Sequence, residues 1–115
     1  GHPLDSYRII LENVCNTQMA QLEDREQLAN LDITFGGIVT DIREGQDRTG
    51  RPYGFVKMED YSGAGEIPLF GEDWAKFRGY FTVGNSLYVS ARVEAIEWKK
   101  TRYDLIIGKI EFLTR

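Results

Sequence analysis

The sequence predicts a mainly β protein, a five-stranded Greek-key barrel with a helix between its third and fourth strands and a helical extension at its N-terminus. Three observations carry this reading. First, the stretches Ile33-Thr-Phe-Gly-Gly-Ile-Val-Thr-Asp-Ile42, Tyr53-Gly-Phe-Val-Lys-Met-Glu-Asp-Tyr61 and Glu66-Ile-Pro-Leu-Phe70 alternate apolar and polar residues between turn-forming segments. Second, an amphipathic stretch, Glu72–Phe81, follows directly and is succeeded by a long alternating strand, Leu87–Ile96. Third, Tyr103–Leu113 supplies a last strand, and twelve glycines fit a chain with many tight turns. Three strands, a helix and two more strands is the order of an OB-type barrel, a fold that offers one open face to single-stranded nucleic acid.

Each element has a local reason. In the second strand Val56 and Met58 share the aliphatic face and should point to the core, which turns Phe55, Lys57 and Glu59 outward. In the third strand Ile67 and Leu69 point inward, and Pro68 faces outward on an edge or at a bulge, where its missing N–H is tolerated. Trp74, Phe77 and Phe81, three and four residues apart, should plug the barrel's bottom. Leu87, Val89, Ala91, Val93 and Ala95 alternate inward. Gly37, Gly54 and Gly108 should mark bends or bulges. The segments 45–52 and 62–65 read as a polar loop and a hairpin turn, and 97–102 as a loop with basic and aromatic residues interleaved.

The chain divides into a helical extension, residues 1–32, and the barrel, residues 33–115. Leu4, Tyr7, Leu11 and Val14, with Ile10 beside them, form one apolar stripe, so a helix is expected over residues 3–15. Residues 16–31 read as a connector that packs Leu22, Leu28 and Leu31 onto the barrel. A chain of 115 residues supports one core rather than two. Residues 1–32 carry a net charge of −4 and the barrel is neutral, so attraction to phosphate must come from local clusters.

Composition excludes several chemistries. One cysteine, Cys15, allows no internal disulfide and fits a reducing, cytoplasmic setting; its expected role is a small buried side chain. One cysteine and one histidine, His2, make no zinc site. No apolar run approaches the length of a membrane span. Ser62, Ser86 and Ser90 have no histidine in reach for a triad. Glu59 and Asp60 point to opposite faces of a strand, and Asp60 is expected to accept backbone hydrogen bonds in the following turn. Gly63-Ala-Gly65 lacks the features of a phosphate-binding loop. No catalytic constellation and no cofactor site is expected in this segment, and function must come from a binding face.

Single-strand binding needs flat rings for bases and cations for phosphates. Around the first loop and on strand two these are Arg43, Arg48, Arg51, Tyr53, Phe55 and Lys57. Around the second loop they are Trp98, Lys99, Lys100, Arg102 and Tyr103. The same outward residues would equally serve a face covered by another protein domain.

The segment Gly1-His-Pro-Leu-Asp-Ser-Tyr7 resembles the Gly-His-Pro-Leu/Ile-Asp-x-Tyr segment that precedes the C-terminal OB region of bacterial DNA polymerase III alpha subunits. Gly37-Ile-Val39, the loop Asp47-Arg-Thr-Gly-Arg51, Phe55-Val-Lys-Met-Glu-Asp-Tyr-Ser-Gly63, Phe70 and Trp74-Ala-Lys-Phe77 are similar to later motifs of that family, with Arg48 and Arg51 standing where the family often carries lysine. The resemblance covers essentially the whole chain. It implies a parent that is a template-directed, Mg²⁺-dependent DNA polymerase whose catalytic aspartates lie outside this segment. It also implies single-stranded template DNA, other domains of the polymerase and replisome proteins as partners. The barrel alone is similar too to the anticodon-binding barrels of aspartyl-type tRNA synthetases, in which a phenylalanine at the position of Phe55 stacks on a base.

Overall fold

The strands of this computed structural model are β1 (Asp32–Gln46), β2 (Pro52–Asp60), β3 (Gly63–Phe70), β4 (Ser86–Ile96) and β5 (Arg102–Phe112). They form one antiparallel sheet, in the order β3-β2-β1-β4-β5, that curls around a single apolar core. The helices are α1 (Arg8–Val14) and α2 (Glu72–Phe77), and short 3-10 turns cover Asp5–Tyr7, Met19–Glu23 and Arg78–Tyr80. The structure describes residues 4–96 and 102–113.

The alternation read from the sequence sets the core. Phe35, Val56, Met58, Ile67, Leu87, Val89 and Val93 are fully buried. Trp74, Phe77 and Phe81 close the bottom, with the Trp74 and Phe81 rings stacked at 6.4 Å between centroids. Trp74 reaches so far inward that it lies on Gly54: a Cβ there would stand 2.5 Å from the indole. Gly54 is therefore needed for close approach rather than for a bend. Gly37 likewise lies under the backbone of Glu59 and is not bulged. The two register breaks fall at Thr40 in β1 and at Gly108 in β5, so of the three glycines only Gly108 marks a bulge. Ala95 is only half-buried.

Strand pairing shortens two connections. β1 and β2 stay paired out to Gln46 and Pro52, so the loop contracts to residues 47–51 and Arg43 belongs to a strand. Asp47 closes that loop: its carboxylate accepts hydrogen bonds from Thr49 N (2.9 Å), Thr49 Oγ1 (2.7 Å) and Arg51 N (2.9 Å). Between β2 and β3 the register pairs Asp60 with Gly63, so the turn is Tyr61-Ser62 and Gly63-Ala-Gly65 opens β3 instead of forming the turn. Asp60 accepts from Ser62 N at 2.8 Å, as expected, and also from Met19 N at 2.9 Å. That second bond and the one from Ala20 N to Ser62 Oγ (3.1 Å) pin the connector to the hairpin.

The extension packs less than its stripe implied. Leu4 is fully buried, but Tyr7 and Leu11 are half-buried and Val14 is 54% exposed. The change from a 3-10 turn to an α-helix at Tyr7 breaks the stripe's period, and the two-turn helix meets the sheet chiefly where Leu11 sits over Gly36. Leu22 and Leu28 are buried on the barrel, whereas Leu31 is half exposed because the chain turns through Asn30 (φ 62°) into β1.

Candidate nucleic-acid interface

Strands β1, β2 and β3 place nine outward residues in three cross-strand rows. The first row is Gly45, Tyr53 and Phe70, the second Arg43, Phe55 and Pro68, and the third Asp41, Lys57 and Glu66. Side chains opposite one another on one face of a sheet are in contact range, and here three rings gather. Tyr53 and Phe55 meet edge to face at 5.3 Å, and Phe55 and Phe70 do so at 5.9 Å. The Tyr53 ring lies across Gly45, where a Cβ would stand 2.8 Å from its hydroxyl. Phe70 is half exposed and Phe55 and Tyr53 are partly exposed, so all three present surface to solvent.

Cations border these rings. The Arg43 guanidinium lies 5.5 Å over the Phe55 ring and pairs with Glu66 at 3.1 Å. Lys57 is exposed but sits in register between Asp41 and Glu66, which offset its charge. Arg48 and Arg51 are exposed on the loop that Asp47 closes, with the Arg51 guanidinium lying against Gly71. The three backbone and side-chain donors on the Asp47 carboxylate hold its pKa below the usual carboxylate range, first through Thr49 and then Arg51.

The second cluster divides. Arg102 is exposed and paired with Asp104 at 3.1 Å. Tyr103 faces the same way as buried Leu105 and packs against the core, so its ring is part of the barrel filling. Trp98, Lys99 and Lys100 lie outside the described residues. Among the described residues no group of three or more His, Cys, Asp or Glu could hold a metal ion, and no helix is long and apolar enough to cross a membrane.

Two contributors escape a reading by residue type. Phe70 follows from alternation, since inward Ile67 and Leu69 put Phe70 on the outer face beside Tyr53. Arg25 has no such signal. It rises from the connector, and its guanidinium donates to the carbonyl of Tyr103 on β5 (Nη1, 3.2 Å) and to that of Glu66 on β3 (Nη2, 3.3 Å). Burial lowers its pKa, while Asp104 and Glu66 favour its charge.

A curled five-stranded sheet, a helix between its third and fourth strands, and an aromatic outer face on β2–β3 define the OB class of nucleic-acid-binding domains. The chain belongs to the OB-fold nucleic acid binding domain family of the tRNA anticodon type, which matches residues 33–113. Its sequence is similar to DNA polymerase III alpha subunits. It is 24% identical to that of Borreliella burgdorferi over all of this chain and 10% of the relative, and 25% identical to that of Saccharopolyspora erythraea over 84% of this chain and 8% of the relative. The chain thus spans about a tenth of these polymerase subunits. Among solved structures, an OBody bound to hen egg-white lysozyme matches 88% of this chain and 95% of its own (15% identity, TM-score 0.58). A putative aspartyl-tRNA synthetase from Leishmania major matches 96% of this chain and 26% of its own (14% identity, TM-score 0.53). The S. cerevisiae mitochondrial single-stranded DNA binding protein Rim1 matches 71% and 94% (17% identity, TM-score 0.50). At such identities the structural likenesses establish the fold.

Proposed function

We propose that this chain is the non-catalytic OB domain of a bacterial DNA polymerase III alpha subunit, acting in the cytoplasm, and that it holds single-stranded template DNA during replication. The observation that carries the proposal is the platform of Tyr53, Phe55 and Phe70 on the open face, with Arg43 stacked on its central ring. Bases stack on the rings and on Trp98; Arg48, Arg51, Lys99 and Lys100 meet phosphates, and Arg43, Lys57 and Arg102, each already beside an acid, contribute weakly. The similarity to polymerase subunits along essentially the whole chain supports the DNA context. Polymerisation, and the Mg²⁺ it needs, belong to the rest of the parent protein, whose other domains and replisome partners lie beyond this segment.

The test is fluorescence anisotropy of a labelled oligo-dT with wild-type protein and Phe55→Ala. Truncating a stacking ring should cost about 1–3 kcal/mol of binding, roughly fivefold to a hundredfold in affinity, with the fold retained by circular dichroism. A folded Phe55→Ala protein that binds oligo-dT as the wild type does would overturn the stacking role. Tighter binding of the matching RNA than of DNA would instead favour an anticodon-type barrel that reads 2′-hydroxyls.

A further inference from the structure

The curled sheet leaves a seam. Among the described residues β3 and β5 are its two ends and are not paired with each other. Arg25 spans this seam with one planar group, holding Glu66 O on one side and Tyr103 O on the other. A planar guanidinium with several N–H donors can bridge two carbonyls at once, which a single ammonium does less well. Both anchor points adjoin the proposed binding face. Glu66 carries the carboxylate that pairs with Arg43 over Phe55, and Tyr103 follows Arg102 directly. A groove along the seam is lined by Arg25, Pro68, Phe70 and Arg102 together with the acids Asp73 and Asp104, and a strand leaving the platform past Phe70 crosses it to reach Arg102.

We propose that Arg25 is a positioning residue for the nucleic-acid face: by clasping the unpaired edges of β3 and β5 it sets the placement of Arg102 relative to the Tyr53–Phe55–Phe70 platform. This rests on the single-strand reading above. Ligands long enough to cross the seam depend on the clasp, and ligands confined to the platform do not.

The test compares wild-type protein, Arg25→Met and Arg25→Lys with oligo-dT of about four and about ten nucleotides, lengths within the roughly 4–16 that an OB fold covers. Both variants should bind the longer oligonucleotide roughly fivefold more weakly, the order of one lost hydrogen bond, and the shorter one unchanged. Hydrogen exchange should quicken in β3 and β5 while β1 stays protected. Equal losses at both lengths would show general destabilisation and overturn the proposal. So would recovery by Arg25→Lys, which would make Arg25 a simple charge, or unchanged binding of the longer strand. If the wild type binds neither oligonucleotide, the single-strand reading fails and with it the role at the face. The exchange comparison then decides separately whether Arg25 clasps the seam.

Discussion

Single side chains here act mostly by fixing backbone. Asp47 receives three hydrogen bonds within five residues and so presents Arg48 and Arg51 on an ordered loop. Asp47→Ala should raise hydrogen exchange of residues 47–51 and weaken oligonucleotide binding while leaving the melting temperature nearly unchanged, since the loop is exposed. The pH dependence follows from the lowered pKa of Asp47. Its contribution is present above the usual carboxylate range and is lost only as the pH falls through the lowered value. Loop amides should therefore stay protected at pH values where a free aspartate begins to protonate. Cys15 is the opposite case. Its side chain is half-buried rather than fully buried as expected, and that partial burial, reinforced by the negative charge of Asp60, pushes its thiol up to about 11. Alkylation of the folded protein at pH 8 should be slower than that of the unfolded chain, and an equally fast reaction would contradict the raised thiol.

At the level of elements, periodicity was the reliable signal and boundaries were not. Val56, Met58, Ile67 and Leu69 fell inward as alternation required, and Trp74, Phe77 and Phe81 filled the bottom as their spacing required. The limits of the loops moved because cross-strand pairing extended β1 and β2 past Gly45, and a linear pattern does not show where pairing stops. The helix stripe differs for another reason: a 3-10 turn precedes α1 and offsets Leu4 from the helix's own face, and Ile10 and Val14 are exposed. Gly54 looked like a bend and is a socket for Trp74. Gly54→Ala should therefore destabilise the domain by about 1–3 kcal/mol, a fall of several degrees in melting temperature. A variant as stable as the wild type would contradict the packing of helix α2 against β2.

For the whole molecule, the barrel and its aromatic face were legible because both depend on alternation along single strands. Tyr53, Phe55 and Lys57 could be placed outward from β2 alone, and Phe70 from β3 by the same rule. The seam was not legible, since it depends on which strands fail to pair, and Arg25 lies far from both in sequence. Charge also reads differently in three dimensions. Arg43 is paired with Glu66, Arg102 with Asp104, and Lys57 sits between two acids, so the face is less basic than its list of cations suggests. Stacking on the rings should therefore provide most of the binding, with few phosphates neutralised. The measurement that tests this most directly is the affinity of the protein for oligo-dT across a range of salt concentrations, with Phe55→Ala alongside. The wild type should bind with a shallow slope, about one to three phosphates' worth, and Phe55→Ala should lose affinity at every salt concentration without changing that slope. No binding by the folded wild type even at low salt would contradict the account, as would a steep slope on which Phe55→Ala has no effect.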